Sequence, residues 1–262
     1  MELGTTLQGY RESVSMKSIP QKLLPMTPLE MEERRWDQLD FLCITGDAYV
    51  DHPSFGIAII SRILEAEGFR VGILAQPDYR RVEDFKRLGK PRLGILITGG
   101  NLDSMVSNYT VSKKPRRKDA YSPGGIGGRR PDRASIVYAV RAREAFKGVP
   151  IILGGLEASL RRFAHYDYWQ DRLRRSILLD AKADLLVYGM GERAILEIAR
   201  RLREQGPNAD LRGIRGTVYT DSSLPPDFQG ILLPSFEELL EDRAAYAKSF
   251  LLQYQNTDPF SS

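Results

Sequence analysis

The sequence predicts an open α/β fold with a mostly parallel sheet of five or six strands and flanking helices. Short runs that are apolar at nearly every position alternate with stretches in which apolar residues recur every three or four positions. The apolar runs end in glycine, as at Gly46, Gly99 and Gly154. Because strands covered on both faces form continuous apolar runs, and because strand–helix alternation produces parallel crossovers, the pattern indicates helices on both sides of one sheet.

The predicted strands follow the apolar runs in chain order. They cover 41–45, 71–74, 93–98, 149–153 and 185–188, with a weaker sixth strand at 216–220. The glycines after them let the backbone turn sharply or approach a ligand. Since ligands of parallel sheets bind beyond the carboxyl ends of the strands, these glycines mark that edge as the candidate binding face. Plain strand-to-helix turns are the alternative.

The predicted helices fill the connections between strands. Apolar residues at three- and four-residue spacing predict helices that begin near 29, 54, 82, 136, 195 and 236. Ser54 is the expected N-cap of the helix after the first strand, and Gly68 is its expected end. Ser235 and Glu238 are spaced as the capping box of the last helix.

The chain is expected to have three regions. They are a flexible leader at 1–35, an α/β domain at 36–232, and a C-terminal helix and linker at 233–262. Within the domain, the connection at 107–132 is unusually long, basic and glycine-rich. Loops of this kind are functional or disordered, so two interpretations remain open. One is a solvated, mobile loop, and the other is a lid or an arm that binds an anionic ligand such as phosphate or RNA.

Composition excludes several classes of protein. Hydrophobic residues make up 42% and charged residues 27% of the 262 positions, which fits a soluble globular domain. Residues 1–25 contain no apolar secretion signal, and no apolar run is long enough to span a bilayer, so we expect a cytoplasmic protein without a membrane partner. Cys43 is the single cysteine, which leaves too few thiolates for an iron–sulfur cluster.

Acidic and basic side chains gather near both histidines of the chain, in segments that follow predicted strands. The candidate substrate-binding residues of one crevice are Asp47, Asp51, His52, Asn101, Glu157, Arg161, Arg162 and His165. Their expected roles are binding and orientation, and none is assigned as a catalytic acid or base. The spacing matches no metal signature, so no metal site is predicted. Polar residues that cap helices and satisfy buried backbone groups are the alternative interpretation.

Two cofactor motifs match poorly. Gly189-Met190-Gly191 has alanine where the third glycine of a dinucleotide-binding turn stands, and it follows the fifth strand rather than the first. The segment from Asp51 to Gly56 lacks the residue between Asp and His of the cobalamin motif Asp-x-His-x-x-Gly, and its gap to glycine is longer. The layout of strand, turn and helix is nevertheless similar to the cobalamin-binding-like, Rossmann-like domains attached to many radical SAM enzymes.

Three stretches of the chain resemble the YgiQ family of radical SAM proteins. They are 45–56, 122–134 and 154–169, they occur in the order found in that family, and the resemblance covers most of the chain from about Leu24 on. It implies a two-part protein, of which the α/β domain is the front part. The rear part is a radical SAM barrel whose Cys-x3-Cys-x2-Cys run holds a [4Fe–4S] cluster that binds S-adenosylmethionine.

The sequence departs from that family pattern because it contains no cluster motif. We therefore expect the N-terminal domain of a radical SAM enzyme of unknown substrate, which positions substrate or covers a missing barrel and is not catalytic alone. Its expected partner is the downstream barrel domain, and we expect no cofactor to bind this chain by itself. The open alternatives are a stand-alone corrinoid- or nucleotide-binding module, and an RNA-associated protein acting through the basic insertion.

Overall fold

A six-stranded, mostly parallel sheet forms the centre of the molecule, which confirms the predicted α/β fold. The structure is a computed structural model that describes residues 22–224 and 228–256. Its strands are β1 (Phe41–Thr45), β2 (Val71–Ala75), β3 (Gly94–Thr98), β4 (Ile151–Gly154), β5 (His165–Asp167), β6 (Arg172–Arg174), β7 (Leu185–Val187) and β8 (Thr217–Val218). The large sheet has the order β2-β1-β3-β4-β7-β8, and only its last pair is antiparallel.

Helices fill the connections, as the apolar stripes predict. They are α1 (Pro28–Glu33), α2 (Gly56–Ala66), α3 (Val82–Phe85), α4 (Ser104–Asn108), α5 (Ala134–Ala145), α6 (Gly155–Leu160), α7 (Ile177–Asp180), α8 (Glu192–Gln205), α9 (Phe236–Glu241) and α10 (Arg243–Gln255). None of the helices in the described ranges has the length and apolar character needed to cross a lipid bilayer. Much of the predicted leader, 1–21, and the end of the predicted linker, 257–262, lie outside the described residues. The predicted domain boundaries stay predictions.

Helix ends match the sequence signals in two of three cases. Gly68 adopts φ 84° directly after α2, and Ser235 forms the predicted capping box with Glu238 at the start of α9. The prediction of Ser54 as the N-cap of α2 is wrong. Phe55 occupies that position without a side-chain cap, because the backbone N–H of Ser54 donates to His52 Nδ1 and the turn continues one residue further.

Two apolar cores cover the two faces of the sheet. Side chains alternate along β1, so that Leu42 and Ile44 belong to the core under α3 and α5, whereas Phe41 and Cys43 belong to the core under α2 and α8. Each large aliphatic side chain buried in this way contributes roughly 2 kcal/mol of transfer free energy. The three-layer arrangement explains why the strands are apolar at every position, and it leaves only the sheet edges for polar groups.

The basic insertion at 107–132 folds back over the turn that follows β1. A short 3-10 helix at Pro123–Gly125 and a hydrogen bond from Ala48 N to Tyr121 O order it. Most of its cations are exposed, as expected for a solvated loop, but Arg130 is only 2% exposed. The interpretation of the insertion as a solvated loop therefore does not hold at Arg130.

The strands β5 and β6 form a small antiparallel hairpin that the sequence does not predict. Each strand has only three residues, which is too short for a recognisable alternation of apolar and polar positions. Asp167 of the hairpin is buried and forms an ion pair with Arg133 at 2.7 Å. This ion pair fixes the hairpin to the residue that precedes α5.

Candidate functional site

A cleft of about 310 Å³ opens at the carboxyl ends of the parallel strands, between the amino ends of α2 and α8. Its lining includes the ends of β1, β3, β4 and β7. In the sheet, β1 lies between β2 and β3, so the connection after β1 runs to one side and the connection after β2 crosses to the other. The carboxyl edge beside β1 is therefore the switch point at which ligands of open α/β sheets bind. The structure therefore places a cavity at the edge that the glycines mark. We call it the apolar crevice.

Aliphatic side chains and glycines form most of the surface of the apolar crevice. The aliphatic part includes Ile57, Ile60, Leu96, Ile152, Val187 and Ile195. Glycines at 154, 155, 189 and 191 lie on its rim. Gly154 has extended backbone dihedrals, and a Cβ added there would have only the Val187 carbonyl oxygen within 4 Å, at 3.9 Å. The absence of side chains at these glycines therefore supplies much of the open volume.

Polar side chains are few in the apolar crevice, and those present are Thr45, Thr98, Asn101 and Glu192. Asn101 Nδ2 donates to the carbonyl oxygen of Ser54 at 3.0 Å, which leaves the side-chain oxygen as an acceptor. Glu192 is the first residue of α8, where a carboxylate is stabilised by the positive end of the helix dipole. Within the described part of the chain, no Lys or Arg side chain contributes to this lining.

Asp47 is buried under the crevice edge, at 1% exposure, and ties three segments together. It forms an ion pair with Arg130 at 2.7 Å and accepts the backbone N–H of Asn101 at 2.6 Å. Arg130 also forms an ion pair with Asp119 at 3.1 Å. Burial raises the pKa of Asp47, and the Asn101 N–H and Arg130 oppose that effect. The arrangement anchors the basic insertion and orients the backbone of Asn101.

Glu157 is fully buried and acts as a tie between two helix starts. Its carboxylate accepts the backbone N–H of Ser104 at 2.8 Å and that of Ser135 at 2.9 Å. Both donors lie in the first turns of their helices, where N–H groups lack intrahelical partners. A Cβ on Gly99 would lie 2.7 Å from Glu157 Oε2, so only glycine allows this close approach. Both carboxylate oxygens of Glu157 therefore already accept a hydrogen bond from the protein itself.

Asp51 and His52 lie on the loop before α2, outside the lining of the apolar crevice. Asp51 accepts from Arg62 Nε at 3.1 Å, and this hydrogen bond is the main cause of its lowered pKa. His52 is exposed, and its Nδ1 accepts the backbone N–H of Ser54 at 3.1 Å. Both contacts shape the entry into α2.

Arg161, Arg162 and His165 lie beyond α6, also outside the crevice lining. Arg161 forms an ion pair with Asp103, and Arg162 stacks over the ring of Tyr188 at 5.1 Å. His165 Nδ1 lies 3.1 Å from the carbonyl oxygen of Phe163, and burial lowers the pKa of its imidazole. Its Nε2 is buried without a hydrogen-bond partner among the described residues.

Only Asn101 of the candidate residues chosen from the sequence lines the apolar crevice. Asp47 and Glu157 lie beneath the same edge and position it, while the remaining candidates belong to other loops. Their assignment to substrate binding stays a prediction. Sequence reasoning missed the aliphatic lining, because the apolar residues of the helix that begins near 54 have the spacing of a buried helix face, and Ile57 and Ile60 belong to that face. Sequence reasoning also missed that Arg130 is buried beside Asp47, because a cation in a glycine-rich basic segment is expected to be exposed to solvent.

The side chains of residues 22–224 and 228–256 do not offer a donor set for an iron–sulfur cluster or a metal ion. Cys43 is buried in the core, accepts a hydrogen bond from Ser61 Oγ at 3.4 Å, and burial raises the pKa of its thiol to about 12. A thiol of this kind is not available as a thiolate ligand. Across the described residues, no group of three or more His, Cys, Asp or Glu side chains is placed to hold a metal ion.

Comparison with known proteins gives consistent matches over most of the chain. The model of the family described as radical SAM N-terminal matches residues 23–262, which confirms the resemblance seen in the sequence. A UPF0313 protein of Clostridium perfringens strain 13 is 55% identical over 239 residues, covering 91% of this chain and 36% of the relative. A UPF0313 protein of Thermotoga maritima is likewise 55% identical over 239 residues, covering 91% of this chain and 42% of the relative.

A third relative, a UPF0313 protein of Clostridium botulinum strain 657, is 54% identical over 235 residues, covering 90% of this chain and 37% of the relative. The chain thus spans between 36% and 42% of the length of these relatives. No solved structure matches the chain.

Proposed function

This chain belongs to the radical SAM N-terminal family, and we propose that it is the module of a larger radical SAM enzyme that binds the non-reacting part of the substrate. The observation that carries the proposal is the apolar crevice at the carboxyl edge of the sheet. Binding energy from a remote part of a substrate orients its reacting part, so a module without catalytic groups still contributes to turnover. The length of the UPF0313 relatives supports the presence of a further domain that would supply the chemistry.

Asn101 is the polar side chain that we assign to substrate orientation. Its side-chain amide is held by Ser54 and its backbone by Asp47, so the free oxygen has a fixed direction at the edge of the crevice. A buried carboxylate that holds a backbone N–H is typical of the supporting contacts that make a binding site rigid. In this proposal Asp47, Arg130 and Glu157 are positioning residues, and they do not touch the substrate.

The family implies a [4Fe–4S] cluster and S-adenosylmethionine, and we place both on the downstream domain of the larger protein. That domain is the partner of this module, and a cytoplasmic location is part of the same proposal. The nucleotide alternative has little support, because no cationic side chain of the described residues lines the crevice. The corrinoid alternative has no axial histidine to use there, because neither His52 nor His165 lines the crevice. Binding of an anion by the basic insertion stays a prediction.

The test uses the full-length Thermotoga maritima relative with its cluster reconstituted. Cell extract supplies the unidentified substrate, and cleavage of S-adenosylmethionine is measured with and without extract. We expect extract to stimulate cleavage. Leucine at the position matching Gly154 should remove about nine tenths of the stimulation and leave the extract-independent cleavage unchanged, because the side chain fills the binding crevice and not the reacting centre.

The matched control places leucine at the position of Glu204, which is exposed near the far end of α8. This variant should respond to extract like the wild type. If the Gly154 variant is stimulated as strongly as the wild type, the proposed role of the crevice is wrong. If both variants lose stimulation equally, the loss reflects a general effect of the added leucine, and the proposal again fails.

A further inference from the structure

We propose that the apolar crevice binds an uncharged ligand with an apolar body, and that it rejects nucleotides and other anions. The inference rests on the proposed function, because it names the class of substrate for the same site. It is carried by the chemistry of the lining, the charge at the helix starts and the space that the rim glycines leave open.

The lining chemistry favours apolar surface on the ligand. Ile57 and Ile60 of α2 face the side of the crevice, Ile195 comes from α8, and Ile152 and Val187 come from the sheet. Apolar surface removed from water by such a lining contributes roughly 25 cal/mol per Å². A ligand that replaced this contact with charged or strongly hydrated groups would lose its own hydration without a partner in the protein.

The charges at the crevice argue against an anionic ligand. Among the residues that the structure describes, no Lys or Arg side chain lines the crevice, and Glu192 is the one lining residue with an ionisable side chain. Glu192 is the first residue of α8, where it already occupies the positive end of the helix dipole. A phosphate placed beside it would be repelled rather than held, in contrast to the phosphate sites at helix starts in dinucleotide-binding folds.

The second helix start provides a place for one neutral acceptor. α2 begins at Gly56 with no side-chain cap, and the N–H groups of Gly56 and Ile57, two residues that line the crevice, have no capping partner in the described part of the chain. The next N–H group, that of Ala58, donates to the carbonyl oxygen of Phe55. Asn101, whose side-chain amide donates to the carbonyl oxygen of Ser54 just before α2, offers an acceptor oxygen beside this helix start. A carbonyl or hydroxyl group at one end of an apolar ligand satisfies these groups. The cleft volume of about 310 Å³ suits a small ligand or one end of a larger substrate.

The test uses the 262-residue protein and the neutral fluorescent probe N-phenyl-1-naphthylamine. We expect saturable binding with enhanced fluorescence, and we expect a large excess of ADP to leave the titration unchanged. Gly154→Leu fills the crevice at a position with room for a side chain, and it should raise the Kd for the probe about ten-fold or more. Glu204→Leu adds the same side chain on the exposed surface and should bind as the wild type does.

Thermal unfolding of each variant shows whether it is folded. Absence of probe binding to folded wild-type protein would overturn the ligand class, and so would displacement of the probe by ADP. The two proposals fail separately. If Gly154→Leu abolishes probe binding but leaves extract-stimulated cleavage intact in the relative, the ligand class stands and the proposed function falls. If the probe does not bind the wild-type protein, but leucine at the position of Gly154 removes the extract-stimulated cleavage in the relative, the proposed function is supported and the proposed ligand class is wrong.

Discussion

At the scale of single residues, Glu157 is a carboxylate whose two oxygens both accept backbone hydrogen bonds inside the protein. Its partners are the N–H groups of Ser104 and Ser135, and the side chain has no exposed surface. Hydrogen bonds to a buried charged group are stronger than neutral ones, and a missing acceptor leaves a buried donor unsatisfied. Glu157 is therefore best understood as a structural tie between α4 and α5.

The substitution Glu157→Gln tests this role. Glutamine keeps one acceptor oxygen and turns an NH2 group toward the other N–H, so we expect a loss of about 3 kcal/mol in the free energy of unfolding. Urea denaturation of the purified domain measures it. Glu204→Gln, at an exposed position, is the control and should unfold at the wild-type midpoint. A Glu157→Gln midpoint equal to that of wild type would show that the tie does not contribute to stability.

Asp47 gives a prediction on pH dependence. Burial raises its pKa in the folded protein, so the folded state keeps this proton to a higher pH than the unfolded chain does. The contribution of Asp47 to stability is then fully present below its unfolded pKa of about 3.9 and is lost as pH rises through the folded pKa.

Urea denaturation of wild type and Asp47→Asn at a series of pH values isolates this contribution, since asparagine does not titrate. The stability advantage of wild type over Asp47→Asn should shrink from about pH 4 upward. An advantage that grows with pH would mean that Arg130 lowers the pKa of Asp47 more than burial raises it. That result would contradict the claim that burial raises the pKa of Asp47 in the folded protein.

At the scale of elements, Arg130 anchors the basic insertion to the sheet. Its guanidinium contacts Asp47 and Asp119, and its Nε donates to the carbonyl oxygen of Gly46 at 2.9 Å. Removing one partner of a buried ion pair leaves an uncompensated charge, which is strongly destabilising. The consequence of losing Arg130 should therefore be local opening of the insertion as well as lower stability.

Limited proteolysis with trypsin measures that opening. The exposed cations at 113–118 are the cleavage sites, and Arg130→Met should raise their cleavage rate about ten-fold as the insertion leaves the sheet edge more often. Arg129→Met is the matched control, because Arg129 is exposed and adjacent. Equal cleavage rates in both variants would contradict the anchoring role.

The elements could be predicted from the sequence because their patterns are local. β1, β3 and β4 are short apolar runs ended by glycine, and the capping box at Ser235 needs only residues three positions apart. The pairing of Arg130 with Asp47 spans 83 positions, and no local pattern encodes it. The apolar crevice could not be predicted for another reason: an isoleucine such as Ile57 that lines a cavity has the same helical spacing as one that fills a core.

At the scale of the whole molecule, the α/β domain has an open apolar crevice at the carboxyl edge of its sheet and buried polar contacts beneath that edge. The buried ties of Asp47 and Glu157 hold the loops at that edge, while the rim glycines keep it open. Two of the candidate residues chosen from the sequence, Asp47 and Glu157, thus make buried contacts within the α/β domain. The chain belongs to the radical SAM N-terminal family and spans between 36% and 42% of the length of its UPF0313 relatives.

The most direct test of the binding claim maps the ligand contact on the domain by NMR. Isoleucine methyl groups are labelled, and N-phenyl-1-naphthylamine is titrated into the protein. The account predicts that the methyl signals of Ile57, Ile60, Ile152 and Ile195, which line the apolar crevice, shift in a saturable manner. Shifts confined to isoleucines outside the crevice, such as Ile126, Ile177 and Ile231, would contradict it.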